Sequence, residues 1–260
     1  MKSNACRRIL AELRAHRNEA NRAGMARFGI KVDRALGIST PLLRAIARRE
    51  GRDHELALAL WDSRVHEARV LAAFVDDPGR LTSRQMDAWA AGFDSWDVCD
   101  QACNHLFRRS PLAHAKVRRW ARSGREFVRR AGFALLACLA VHDKEADNAV
   151  FEAYLPLIQR HATDERNFVK KAVNWALRQI GKRNERLRRA AMDCARRIAG
   201  MDSRCARWIA ADALRELEGR GRVGERRAGQ AGASAPQRRS SSHRSRRSRS
   251  TRAVALAGAR

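Results

Sequence analysis

Two side chains able to do chemistry, Trp96 and Asp100, stand one helical turn apart in the segment 93–104. The apolar residues of this segment form a separate stripe on a helix, so the indole and the carboxylate share another face. A fixed carboxylate can stabilise a developing positive charge, and an indole face can contact an electron-poor group. The structural alternative is that Trp96 packs on a neighbouring helix and that Asp100 pairs with an arginine.

Two later segments carry further candidates for the same site. Arg130 flanks the apolar stripe of the segment 126–133, and Trp175 stands among cations in the segment 167–182. If the three segments form equivalent helices in successive helix pairs, their side chains project into one groove.

The elements that position these residues are predicted to be helices. Almost no segment alternates polar and apolar residues with period two, and Ala, Leu and Arg dominate, which indicates an all-α chain. Ser39-Thr40-Pro41 and Ser110-Pro111 supply caps followed by Pro, and Gly181 and Gly200 suit helix C-termini. The predicted helices cover residues 5–22, 41–49, 53–62, 65–76, 83–92, 96–109, 112–122, 126–142, 147–161, 165–180, 185–199 and 203–217.

Twelve helices with short connections make about six antiparallel pairs. This pattern predicts a HEAT-like helical-repeat solenoid, an α-α superhelix, in a domain of residues 1–218. Such a stack curves, and one helix of each pair lines its concave groove.

Charge indicates the kind of partner. Lys and Arg number 54 against 28 Asp and Glu, a formal net charge of +26. Residues 219–260 hold 12 Arg and one Glu, so residues 1–218 keep a charge of +15. A groove with this charge predicts a polyanion such as duplex DNA. The Arg/Ser-rich residues 219–260 are predicted to be a disordered basic tail, which either holds nucleic acid non-specifically or has no role of its own.

Other classes of function are disfavoured. His66-Glu67-Ala68-Arg69-Val70 begins like a zinc protease motif, but Val70 stands where the second ligand is needed. No phosphate-binding Gly-rich loop or serine hydrolase elbow is present, and we expect no metal and no cofactor.

The remaining cysteine and tryptophan residues are predicted to be structural. The six cysteines lack the spacing of a disulfide scaffold and are predicted to be reduced core residues. With no apolar run long enough to cross a bilayer and no secretion signal, we expect a cytoplasmic protein without membrane contact. Four tryptophans are predicted to lie in the core between repeats, namely Trp61, Trp89, Trp120 and Trp208.

The motifs resemble those of a known family. Trp96-Asp97-Val98-Cys99-Asp100 looks like the Trp-Asp-x-x-Asp motif of the DNA alkylation repair proteins, AlkD-like HEAT-repeat DNA glycosylases. The segment 127–131 is similar to their Arg-Ala segment, and 168–178 to their Lys-Ala-x-x-Trp-x-Leu-Arg segment. The resemblance covers about residues 5–217.

The resemblance implies an activity. The expected protein is a monomer that binds alkylated duplex DNA and hydrolyses the N-glycosidic bond of 3- or 7-alkylpurines, with the base left in or near the stack. Asp100 would stabilise the sugar cation and guide water, Trp96 would contact the sugar, and Arg130 would hold a backbone phosphate. The DNA-binding residues that we expect are Trp175, Lys170, Lys171, Arg178 and Lys182.

Two other functions stay open. A solenoid of the same fold can bind damaged or branched DNA without excising a base. A scaffold for protein partners is disfavoured, because a peptide-binding groove has no need of a charge of +15.

Overall fold

The computed structural model describes residues 2–232, with side chains described for residues 4–219. Within that part it contains fourteen α-helices, two short 3-10 helices and no strand, which confirms the all-α prediction. The helices are α1 Lys2–Ala15, α2 Glu19–Arg27, α3 Thr40–Glu50, α4 His54–Asp62, α5 His66–Val75, α6 Ser83–Gly92, α7 Trp96–His105, α8 Ala113–Trp120, α9 Glu126–His142, α10 Asn148–Glu152, α11 Leu155–Arg160, α12 Asn167–Gly181, α13 Glu185–Ala199 and α14 Arg204–Gly232. The 3-10 helices are Pro78–Arg80 and Phe107–Arg109.

Five helices, α5, α7, α9, α12 and α14, form one row in which each helix runs parallel to its neighbour. The Cys99 and Cys103 thiols of α7 each contact the carbonyl oxygen 28 residues later in α9. Asn174 and Arg178 of α12 each bond to a carboxylate 38 residues later in α14. A constant positive offset requires parallel helices, so the N-terminal turns of the row lie along one edge and the C-terminal turns along the other.

An outer layer completes the helix pairs. Helix α4 packs on α5, α6 and α8 on α9, and α11 and α13 on α12. Each outer helix is joined to the next helix of the row by a short connection. The two layers give the HEAT-like arrangement that the sequence predicts.

Several helix boundaries differ from the predicted ones. The helix predicted over 5–22 is interrupted after Ala15, because the Asn18 side chain caps α2 by accepting from the Asn21 N–H. The helix predicted over 147–161 is two helices, since Pro156 fits only in the first turn of α11.

A further difference concerns the end of the domain. One compact unit spans Met1–Arg220, and a second comprises Gly221–Arg260. Helix α14 continues to Gly232, beyond the predicted domain boundary at 218. Disorder is predicted for residues 219–260, but α14 covers the first part of that range, up to Gly232; residues 233–260 lie outside the described residues.

The core confirms most of the structural predictions. All six cysteines are free and buried. Trp61, Trp89 and Trp120 are buried, and Trp61 stacks on Trp89 with ring centroids 4.3 Å apart. The core prediction for Trp208 is wrong: this side chain is 41% exposed, because it lies at the surface of α14 against Lys170 of α12. Among the described helices, none has the length and apolar character needed to cross a membrane.

Candidate active site

Asp100 of α7 and Arg130 of α9 form an ion pair at the N-terminal edge of the row. Arg130 Nε donates to Asp100 Oδ1 at 3.0 Å, and Nη2 donates to Oδ2 at 2.7 Å. Arg130 Nη1 donates to the Phe168 carbonyl oxygen of α12 at 2.7 Å. The guanidinium therefore joins three successive helices of the row and fixes both carboxylate oxygens.

Trp96 lies beside this pair. Its ring centroid is 5.9 Å from Arg130 Cζ, and its Nε1 donates to the Phe28 carbonyl oxygen at 3.1 Å. The side chain is half-buried, so part of the indole faces solvent. The structure thus brings Trp96, Asp100 and Arg130 together, as the shared helix face and the helix pairing predict.

The side chains of Asp100 and Arg130 are more buried than residues that line an open groove. The Asp100 side chain is 19% exposed and that of Arg130 is 6% exposed. All three Arg130 nitrogens donate within the protein. The structural alternative for Asp100, pairing with an arginine, is therefore realised by Arg130 itself. A guanidinium so enclosed is better placed to hold Asp100 than to grip a phosphate, which was the role expected for it.

The electrostatics of Asp100 follow from this enclosure. Burial raises the pKa of the Asp100 carboxyl above its ordinary value, and the charge and hydrogen bonds of Arg130 act in the opposite direction. Because a guanidinium stays protonated, the two short bonds favour the carboxylate form. The site therefore holds a fixed anion in a poorly solvated position.

A second polar pair, His66 and Asp97, stands next to Trp96. His66 Nε2 is 2.7 Å from Asp97 Oδ2, while Asp97 Oδ1 is buried without a partner among the described residues. Burial lowers the pKa of His66, but the hydrogen bond and charge of Asp97 outweigh this and raise it. A largely apolar cavity of about 630 Å³ opens beside this pair and beside Trp96. This pair was not predicted from the sequence, where His66 is only part of a failed zinc motif.

The loop after α2 places one exposed aromatic residue at the site. Phe28 is 72% exposed, although its carbonyl oxygen is held by Trp96. Gly29 follows with a φ of +73°, and a Cβ there would be 3.0 Å from Phe168 Cζ, so the loop packs directly on α12. Sequence analysis missed Phe28, because its contact with Trp96 spans 68 residues.

Glu67 anchors the other end of this loop. Its carboxylate is buried and accepts from the backbone N–H of Leu36 at 2.9 Å, of Gly37 at 2.7 Å and of Ile38 at 3.3 Å. Three backbone donors thus converge on one side chain of α5. Glu67 and Trp96 together fix the loop that carries Phe28.

Glu67→Ala is expected to lower the free energy of unfolding by about 3 kcal/mol, because each backbone donor left without an acceptor costs about 1–3 kcal/mol. Urea unfolding followed by circular dichroism measures the loss. Glu165→Ala, at an exposed position, serves as the control and should change stability by less than about 0.5 kcal/mol. Equal stability of the Glu67→Ala and wild-type proteins would show that the carboxylate does not anchor the loop.

The residues predicted to bind DNA on α12 have different surroundings. Lys171 is exposed, and Lys170 Nζ lies 5.4 Å from the centroid of the exposed Trp208 ring. Arg178 pairs with Glu216 at 2.9 Å and with Asp212 at 3.3 Å.

The last two predicted DNA-binding residues lie near the same α14 carboxylates or near the core. Lys182 pairs with Glu216, and Trp175 is half-buried against the core. Acids of α14 thus neutralise Arg178 and Lys182, so Lys170 and Lys171 are the cations of α12 that stay available to a polyanion.

A basic cavity of about 430 Å³ lies near Trp96. It is lined by Lys31, Arg34, Arg64 and Arg69 together with two acids, Asp33 and Asp94. Positive charge therefore lies near the candidate site in two places: in this cavity, which includes Lys31, and on α12, which carries Lys171. In the part of the chain that is described, no three His, Cys, Asp or Glu side chains are grouped closely enough to hold a metal ion.

Comparisons with known proteins identify the family and the fold. Residues 9–217 match the sequence profile of a family described as DNA alkylation repair enzyme. The fold is similar, with a TM-score of 0.71 and 20% identity, to a solved structure described as "a new family of proteins related to the HEAT-like repeat DNA glycosylases with affinity for branched DNA structures". That similarity covers 84% of this chain and 95% of the other. No curated protein sequence matches the chain.

Proposed function

The chain belongs to the DNA alkylation repair enzyme family, and on that premise we propose that it hydrolyses the N-glycosidic bond of 3- or 7-alkylpurines in duplex DNA. One observation carries the proposal: a carboxylate, Asp100, is fixed by Arg130 beside the half-exposed indole of Trp96. This arrangement lies at the edge of a strongly basic helical-repeat protein, where a polyanion is attracted.

The proposed reaction requires mainly electrostatic stabilisation from the protein. A purine alkylated at N3 or N7 already carries a positive charge, so the bond from C1′ to the base is weakened. As that bond breaks, its electron pair goes to the base, which leaves neutral, and the sugar gains oxocarbenium character. A water oxygen then bonds to C1′ and releases a proton. Neither step needs a general acid to protonate the base.

Each residue of the trio then has a role. The Asp100 anion stabilises the sugar cation and orients the attacking water. Trp96 lays its ring against the electron-poor sugar, a contact worth roughly 1–2 kcal/mol. Arg130 is a positioning residue that holds the Asp100 carboxylate through both oxygens. We expect Phe28, Lys170 and Lys171 to contact the DNA around the lesion.

Release of the modified base tests the proposal. Incubation with a duplex that contains 7-methylguanine should yield free 7-methylguanine, measured by chromatography and mass spectrometry, whereas an unmodified duplex should yield no free base. Release no faster than in buffer, by protein that binds the duplex, would overturn the proposed hydrolysis.

A second candidate is DNA binding without excision. Two observations favour it: Asp100 is largely enclosed by its pair with Arg130, and the structurally similar protein is described by its affinity for branched DNA. This candidate predicts tighter binding to a three-way junction than to a linear duplex, with no base released from either.

Both candidates predict salt-dependent binding. The affinity for duplex DNA, measured by fluorescence anisotropy, should fall steeply between about 50 and 200 mM salt, because each phosphate contact releases about 0.9 counterion. An affinity independent of salt would contradict both candidates and favour a scaffold for proteins.

A further inference from the structure

The C-terminal edge of the helix row carries a second basic site. A cavity of about 260 Å³ there is lined by Phe74 at the end of α5 and His105 at the end of α7. Four arginines, which we call the arginine cluster, line the same cavity: Arg44, Arg48, Arg52 and Arg109. They come from α3, the α3–α4 connection and the 3-10 helix after α7, so three chain segments converge on one cavity.

The arginine cluster has no balancing acid. Among the described residues, no carboxylate forms an ion pair with any of its four members. Two acids are close in sequence: Glu50 is bound to Arg8 at 2.6 Å and to Arg49 at 2.8 Å, and Asp53 accepts from the Leu56 N–H at 3.0 Å. Arg52 donates to a backbone oxygen, that of Asp76, at 3.2 Å. Elsewhere in the protein, exposed arginines such as Arg186 pair with acids. Four cations around one cavity repel each other unless an anion lies between them.

The pKa of His105, which lines the cavity, is affected by the same excess of positive charge. Burial lowers the pKa of His105 to about 4, and Arg44, Arg108, Arg109 and His142 add to this effect. His105 is therefore neutral at pH 7, and its buried Nε2 has no hydrogen-bond partner in the described part of the chain.

The helix dipole accounts for the position of one arginine of the cluster, Arg48, but not for that of Arg109. Arg48 is in the last turn of α3, where a cation is favoured by the helix dipole. That effect explains a cation at one helix end. It does not explain why Arg109, whose pKa is lowered by burial and by the charges of Arg108 and Arg52, converges on the same cavity.

We propose that the arginine cluster binds a backbone phosphate of DNA, apart from the phosphates next to Trp96 and Asp100. The inference rests on the proposed function in that the ligand is the same DNA. Guanidinium groups bind phosphate oxygens in bidentate fashion, and Phe74 provides an apolar wall beneath Arg44, whose Cζ lies 5.9 Å from the ring centroid. Helix α7 separates the two sites, since its ten residues from Trp96 to His105 rise by about 15 Å.

Charge reversal tests the site in the full-length protein. The double variant Arg48→Glu/Arg109→Glu changes two exposed members of the cluster. We expect its affinity for an unmodified 25-base-pair duplex, an arbitrary length of roughly two turns, to fall at least about tenfold at low salt, and the slope of log K against log salt to shrink by about 0.9 because one phosphate contact is lost. Fluorescence anisotropy over a salt series measures both quantities.

A matched variant controls for net charge. Arg189→Glu/Arg196→Glu makes the same charge change on the outer helix α13, where these arginines pair with Glu185 and Asp193. Its salt slope should stay that of the wild type. Equal losses in the two variants, or no loss in the first, would overturn the second phosphate site. Base release by the wild-type protein tests the proposed function separately, so the two failures are distinguishable.

Discussion

Asp100→Asn is expected to slow the release of 7-methylguanine from duplex DNA by about 100-fold, since removing one group that stabilises transition-state charge often costs about 3 kcal/mol. The amide has the shape of the carboxylate, but it can accept from only one of the two Arg130 donors, through its oxygen, and it carries no charge. Affinity for the duplex should change little, because the anion acts mainly on the sugar cation that forms during bond cleavage.

Single-turnover kinetics with protein in excess measure the chemical step apart from DNA binding. Asp193→Asn is the matched control, since Asp193 also pairs with an arginine, Arg196, but lies on the outer helix α13. It should retain wild-type rates. Turnover by Asp100→Asn equal to that of the wild type would remove Asp100 from the mechanism.

The pH dependence of the rate provides an independent check on Asp100. Burial raises the pKa of this carboxyl above its ordinary value, and protonation removes the anion. The rate should therefore be constant above the raised pKa and fall as the pH drops through it. Asp100→Asn should lack this decrease, because the amide does not titrate in that range.

The helix pairing and the proximity of Trp96, Asp100 and Arg130 were predictable from the sequence, because both follow from local patterns. A helical period places Trp96 and Asp100 on one face, and helix pairs of similar length bring α7 and α9 side by side. Sequence patterns do not decide whether Asp100 pairs with an arginine or acts on a ligand. The choice depends on side-chain directions across 30 residues, which no local pattern encodes.

Longer-range contacts explain the remaining differences. The loop that carries Phe28 is held by Trp96 from 68 residues away and by Glu67 from about 30. Acids on α14 bind Arg178, and Trp208 is exposed where an amphipathic pattern predicts burial. A helical period identifies the apolar stripe, but it does not tell which residues at the margin of that stripe a neighbouring helix covers.

Arg130→Met is expected to lower the free energy of unfolding by about 3–5 kcal/mol, because it leaves the Asp100 carboxylate largely buried without its counter-charge. The same substitution removes the bond to the Phe168 carbonyl oxygen. Urea unfolding measures the loss, and base release should decrease as well, because the Asp100 carboxylate is no longer held.

A second variant separates the ion pair from general packing. Asp100→Leu/Arg130→Met replaces both charges by apolar side chains, so no charge stays buried alone. It should be more stable than Arg130→Met, since replacing a whole buried pair is often neutral, yet it should release no base. If the double variant were instead less stable by the sum of the losses measured for Asp100→Leu and for Arg130→Met singly, the carboxylate and the guanidinium would not be coupled. Arg130 would then support the fold through Phe168 alone, and another group would have to hold Asp100 for catalysis.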